Sequence, residues 1–264
     1  MFGNFMDKTK SKTIVFVHGL FMNPSIWDDW VQFFKDKGFT SYTPAYPHHE
    51  GTPLYLHKNY SRELRKLTFG QVVDSLSIFI DKLNETPILI GHSMGGLIVQ
   101  KLMENGKGTA GVCIAPAPPM GIMSFNWSFL RANLPVINPL KGNSVFIPSV
   151  AWFHYALCNT MTLEQTQTEY DRFVVPESRN IPRTSTLMQG YIDFKKPHQP
   201  LLIIAAENDH IVPSSLCKKN FKAYKKNNSK IDFKEFSGRS HYICREENWQ
   251  EVVQFINKWL MPFI

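Results

Sequence analysis

Three residues of the kinds needed to activate a hydroxyl toward a carbonyl carbon stand far apart in this chain: Ser93, Asp209 and His241. Ser93 is the centre of Gly91-His92-Ser93-Met94-Gly95. A serine hydroxyl is a poor nucleophile until a base takes its proton, and the base works best when a carboxylate orients it. The G-x-S-x-G spacing suits that chemistry if a strand leads in and a helix leads out. The small residues Gly91 and Gly95 then let strand and helix pass closely at a turn tight enough to lift the hydroxyl above the sheet edge. The new helix also aims its amides, and their positive partial charge, at whatever is bonded to Ser93. Downstream, Glu207 and Asp209 follow one apolar run and are the acid candidates, and His241 follows another run as the candidate base. The order serine, acid, histidine is the one expected for this sheet topology.

Those residues need strands and helices to hold them, and the pattern supplies both. Residues 87–90 form a short apolar run before the motif, and 95–103 read as a helix closed by Asn105-Gly106. Earlier, 13–17 is β-rich and ends at His18-Gly19-Leu20. Asn23-Pro24 starts a helix that carries Ile26, Trp27, Trp30, Val31, Phe33 and Phe34 and stops at Gly38. Residues 39–46 read as a strand, followed by a polar loop with His48, His49, Glu50 and His57, then a helix over about 68–84. A strand is expected over 110–115, a central one over 200–206 and another over 231–236, with helices over about 213–224 and 246–260. Strands alternating with helices call for a mostly parallel sheet covered on both faces, an α/β fold.

The alternation breaks in the middle. From Gly108 to Leu163 there are two charges, Arg131 and Lys141, where about ten would be average. Prolines 116, 118, 119 and 148, with His154 and Asn159, argue against a membrane span in this stretch. Residues 117–190 are therefore expected to be an apolar cap inserted between two parts of a core, 1–116 and 191–264. Its Met120, Met123, Phe125, Trp127, Phe129, Phe146, Trp152, Phe153, Tyr155 and Met161 are expected either to line a lipophilic cavity or to pack the insertion onto the body.

Composition narrows the classes further. With 264 residues, 43% hydrophobic and 19% charged, the chain can bury a full core. The net charge of +7 is scattered, and its densest run, 218–226, reads as the solvated face of a helix, so nucleic acid is not an expected partner. Cys113, Cys158, Cys217 and Cys244 are widely spaced and are expected as reduced thiols; no metal or other cofactor is expected. The first twelve residues lack a leader-like apolar core, and the expected location is the cytoplasm.

Taken together, His18-Gly19, the motif around Ser93, the stretch from Asp209 to Pro213 and His241 resemble the α/β-hydrolase family in order and spacing, over nearly the whole chain outside the insertion. The resemblance implies Asp209 rather than Glu207 as the acid, because the family's acid stands four residues before a proline. It implies structural roles for His18 and His92, and surface or structural roles for the other histidines, with His49 and His57 near enough to reach a pocket mouth. It implies an oxyanion hole made of the backbone amides of Leu20 and Met94, with Phe21 as the alternative to Leu20. Phe21 and Met22 would then border the acyl side of a pocket that Met120, Trp127 and Trp152 help to line. The expected activity is hydrolysis of a small, largely apolar carboxylic ester by a serine esterase or lipase-like enzyme, rising with pH as the histidine base loses its proton. Acyl transfer, perhydrolysis, lactone opening and C–C cleavage use near-identical motifs on this scaffold; non-catalytic ligand binding is a less expected use, since such members may lose triad residues and all three are present here. Stable membrane insertion is not expected, and oligomeric state is left open.

Overall fold

In the computed structural model, which describes residues 11–224 and 228–264, the β-rich runs form β1 (Thr13–Val17), β2 (Thr40–Tyr42), β3 (Ile88–His92), β4 (Ala110–Ile114), β5 (Val145–Phe146), β6 (Glu177–Ser178), β7 (Leu201–Ala206) and β8 (Ile231–Phe236). Six of them pair side by side in the order β2-β1-β3-β4-β7-β8. Every pairing in that sheet is parallel. β1, β3, β4 and β7 are buried along their whole length, as continuous aliphatic runs in a sheet covered on both faces must be.

The helices are α1 (Asp28–Lys35), α2 (Pro53–Asn59), α3 (Phe69–Ile80), α4 (Met94–Glu104), α5 (Trp127–Ile137), α6 (Val150–Ala156), α7 (Leu163–Phe173), α8 (Asn180–Ser185), α9 (Ser214–Tyr224) and α10 (Trp249–Leu260). Side-chain caps mark the starts of α2, α3, α6 and α7. Thr68 and Gln71 form a reciprocal capping box at α3, and Thr162 and Gln165 do the same at α7.

Two expectations change here. The strand expected over 39–46 shrinks to Thr40–Tyr42. It is the sheet's edge, and Pro44 and Pro47 have no amide to continue a ladder. The polar loop after it contains a helix, α2, capped by Thr52 with Pro53 in its first turn. α9 turns Leu216, Cys217, Asn220 and Tyr224 inward and Lys218, Lys219 and Lys222 to solvent; Lys225 and Lys226 lie outside the described residues, as do residues 1–10 of the segment expected to lack a leader.

Between β4 and β7 the chain forms α5 to α8 and the small antiparallel pair β5–β6. Hydrogen bonds tie this segment to the elements around the sheet: Val175 N to Phe21 O (2.8 Å), Tyr242 N to Leu157 O (3.0 Å) and Asn133 Nδ2 to Ile211 O (2.9 Å). All four cysteines are buried and free.

Candidate active site

Parallel strands in register deliver Ser93, Asp209 and His241 to one edge. His92, which closes β3, pairs with Ile114, Ile114 with Ile204, and Ala206 with Phe236, so β3, β4, β7 and β8 end at about the same level. Ser93 follows β3 directly, Asp209 lies in the loop after β7, and His241 in the loop after β8.

The turn at Ser93 is strained. Its φ of 56° and ψ of −120° lie in a region that non-glycine residues avoid. The surroundings hold it there: Ser93 N donates to Ile114 O (2.9 Å), while Ser93 O accepts from Gly96 N and Ala117 N (both 2.9 Å). The flanking glycines are needed for space. A Cβ on Gly91 would sit 2.3 Å from Gly95 O, and one on Gly95 would sit 2.2 Å from Val17 O. The same closeness brings the loop after β1 against the elbow, with the Cβ position of Gly19 only 3.0 Å from Ser93 Cβ. Met94 opens α4 directly after the serine, and Leu20 continues the loop after β1. Phe21, the next residue, takes φ 68°, a positive value uncommon for a bulky side chain.

Asp209 is buried with both oxygens engaged. Oδ1 accepts the backbone amides of Ile211 (2.9 Å) and Val212 (2.7 Å). Oδ2 accepts the Nδ1 proton of the buried His241 at 2.5 Å. A carboxylate can only accept, so Nδ1 carries a proton, and in the neutral ring Nε2 is then the nitrogen with the lone pair. No hydrogen bond joins the Ser93 hydroxyl to Nε2 in this resting geometry among the described residues; such contacts are often long before substrate binds. His92 secures the loop of the base, donating from Nε2 to His241 O at 2.8 Å. Burial, with His241 nearby, drives the pKa of His92 well below the usual imidazole value, so it remains neutral.

The acid alternative, Glu207, is exposed and bonds Ser237 Oγ (2.5 Å) and Gly238 N (2.8 Å), away from the imidazole. Among the described residues no group of three His, Cys, Asp or Glu side chains stands close enough to hold a metal ion.

The expected pocket residues separate. Phe21 packs in an aromatic cluster with Phe146 (5.5 Å between ring centres) and Trp152 (5.3 Å), and Trp152 donates from Nε1 to Ala132 O. Met22 is fully buried and bridges Val174, and Met120 is half-buried, its amide donating to Gly190 O. Trp127 is different: it is 74% exposed at the start of α5 and does not pack the segment inward. α5 buries Ala132 and Val136, which turns Trp127, Arg131 and Leu134 outward.

Sequence reading missed a buried pair behind the loop after β1. His49 donates from Nε2 to Glu177 (3.1 Å) and from Nδ1 to Pro47 O (3.1 Å), so both nitrogens carry protons. Burial works against that charge, but Glu177 and the two hydrogen bonds outweigh it and raise the pKa of His49. His18, 6.0 Å away and stacked on Tyr46, is instead held neutral, its pKa lowered to about 3 by burial and by His49. No spacing signals this pair, because its members are separated by 128 positions and meet only through tertiary folding.

A stability prediction follows. Glu177→Gln leaves His49 without its counter-charge and should cost about 3 kcal/mol near pH 6, read by urea unfolding. Because folding raises the His49 pKa above its ordinary 6.5, the pair's contribution is complete below that value and fades as pH rises through the folded one. The gap between wild type and variant should therefore narrow in alkaline buffer. A gap that widens would contradict a charged His49.

The comparisons with known proteins bear on the fold and the family. No curated protein matches the sequence significantly. Solved structures do match in fold. Tomato methylketone synthase I bound to 2-tridecanone has a TM-score of 0.71 at 18% identity, over 96% of this chain and 99% of that one. A monoacylglycerol lipase from Paleococcus ferrophilus gives 0.71 at 18% identity, over 97% of each chain. An extracellular alpha/beta-hydrolase from a Paenibacillus species gives 0.68 at 19% identity, over 93% of this chain and 98% of that one. The sequence pattern of the alpha/beta hydrolase family matches residues 14–255, and the chain belongs to that family.

Proposed function

We propose that this hydrolase-family chain cleaves a largely apolar carboxylic ester through an acyl-enzyme, with Ser93 as nucleophile, His241 as base and Asp209 as its orienting acid. The observation that carries the reading is the 2.5 Å bond from His241 Nδ1 to Asp209, which leaves Nε2 free of the carboxylate at the same sheet edge as a serine held at φ 56°. Ser93 Oγ attacks the ester carbon while His241 Nε2 takes its proton, and the carbonyl π electrons move onto oxygen. That oxyanion accepts from the amides of Leu20 and Met94, donors that the elbow and the loop after β1 hold without reorganisation. Collapse expels the alcohol, which takes the proton from His241. Water then attacks the acyl carbon, with His241 again as base, and frees the acid. The resting separation of Ser93 from His241 closes in this reading when substrate binds, by rotation of the serine side chain.

In the same reading 117–190 is a cap on a core of 1–116 and 191–264, and Phe21, Met22, Met120 and Trp152 border the acyl chain. The fold neighbours include a monoacylglycerol lipase and an enzyme holding 2-tridecanone, which supports an apolar ligand here. The cytoplasm is the proposed location; among the described residues no helix is long and apolar enough to cross a membrane.

Turnover of p-nitrophenyl esters of graded chain length tests the proposal. Steady turnover, faster for medium acyl chains than for acetate and poor for charged esters, is the expected result. A single burst with no steady rate would instead mark a binder that acylates once.

A further inference from the structure

We propose that an exposed apolar face around the start of α5, together with the lysine face of α9, docks this protein on an anionic lipid surface. Phe125 is 82% exposed and Trp127 74%, with Met123 beside them in sequence and also in solvent. Within α5, Trp127, Arg131 and Leu134 recur at intervals of four and three residues, so they share one outward face opposite the buried Ala132 and Val136. Water is a poor environment for such a group of large apolar side chains, and a contiguous patch of them marks an interaction surface.

Charge selects the partner. From Gly108 to Leu163 there is no acidic residue, and both charges, Arg131 and Lys141, are positive. Lys219 Nζ donates to Met123 O at 2.9 Å, which brings the exposed face of α9 alongside the apolar loop. Lys222 lies one turn further along that face and is likewise exposed. Lys218 is excluded, since it pairs with Glu235 at 2.6 Å. Two carboxylates line the cleft of about 400 Å³ at the flank with Asn126 and Ser128: Glu207, held by Ser237 and Gly238, and the buried Asp209, held by Ile211, Val212 and His241. Aromatic side chains with adjoining lysines fit an interfacial site on anionic lipid, where rings enter the headgroup boundary and cations meet phosphates. A second copy of the chain fits less well, because a two-fold pairing of this face would set its lysines against their own counterparts. Docking of this kind is peripheral and requires no spanning helix.

Co-sedimentation of the full chain with vesicles tests this without any substrate. Wild type should pellet with phosphatidylcholine vesicles that contain phosphatidylglycerol, and at least ~10-fold more weakly with phosphatidylcholine alone or in high salt. Phe125→Ser with Leu134→Ser should abolish pelleting at unchanged thermal stability. Lys219→Glu with Lys222→Glu should weaken it ~10-fold or more while turnover of a water-soluble ester stays at the wild-type rate. Tryptophan emission should shift to the blue on binding, and Trp127→Phe should remove that shift. The Ser93→Ala variant should bind as wild type does, which separates this inference from the hydrolase reading. No pelleting by wild type, or pelleting insensitive to both double substitutions, would overturn it. So would a concentration-dependent dimer that Phe125→Ser with Leu134→Ser dissolves, since the face would then belong to a second copy.

Discussion

Ser93→Ala is expected to lower ester turnover by at least ~10⁴-fold with folding stability preserved or slightly increased. The side chain that disappears is one hydroxyl, and that hydroxyl bonds no described residue, so packing loses almost nothing. The backbone of the elbow stays in place because its own hydrogen bonds to Ile114, Gly96 and Ala117 hold it. Removing the nucleophile removes both chemical steps at once. Binding should persist, with KM or ligand affinity within a few-fold of wild type, because the proposed oxyanion donors and acyl-side residues are untouched by the substitution. Steady-state kinetics and urea unfolding of the same preparation separate the two effects.

Asp209→Asn should cost ~10⁴-fold in kcat through a tautomer, with little loss of structure. Oδ1 of Asp209 already accepts two backbone amides, from Ile211 and Val212. An asparagine keeps those bonds only with its carbonyl oxygen in that position, which turns its NH2 toward His241. An NH2 group donates, so Nδ1 of His241 must then accept and the ring proton moves to Nε2. Nε2 would then have no lone pair for the serine proton. The expected signature is a fall in kcat with KM nearly unchanged, and no recovery at higher pH, because deprotonating the cation does not restore the needed tautomer. Recovery of most activity in mild alkali would indicate that Asp209 acts through charge alone.

Much of this site was legible in the chain. Glycines at 91 and 95 have one physical use in that position, and the contacts a Cβ would make there explain why. β7 and β8 were readable as apolar or alternating runs, so the loops after them located Asp209 and His241. Residues whose role depends on three-dimensional surroundings were less accessible. His49 looked like one of several histidines in a polar loop, because Glu177 arrives from the far side of the fold. Trp127 looked like pocket lining because composition alone cannot tell the inward face of a helix from its outward face. Helix α2 carried a threonine-proline start at 52–53 that the neighbouring polar residues obscured.

The central claim is that the hydroxyl at position 93 is a nucleophile driven by the imidazole at 241. Labelling with a fluorophosphonate, followed by mass spectrometry of the modified peptide, tests it most directly. The adduct should lie on Ser93 in wild type, be absent in Ser93→Ala, and form at least ~10³-fold more slowly in His241→Ala. An adduct on another residue, or a labelling rate indifferent to the loss of His241, would contradict it.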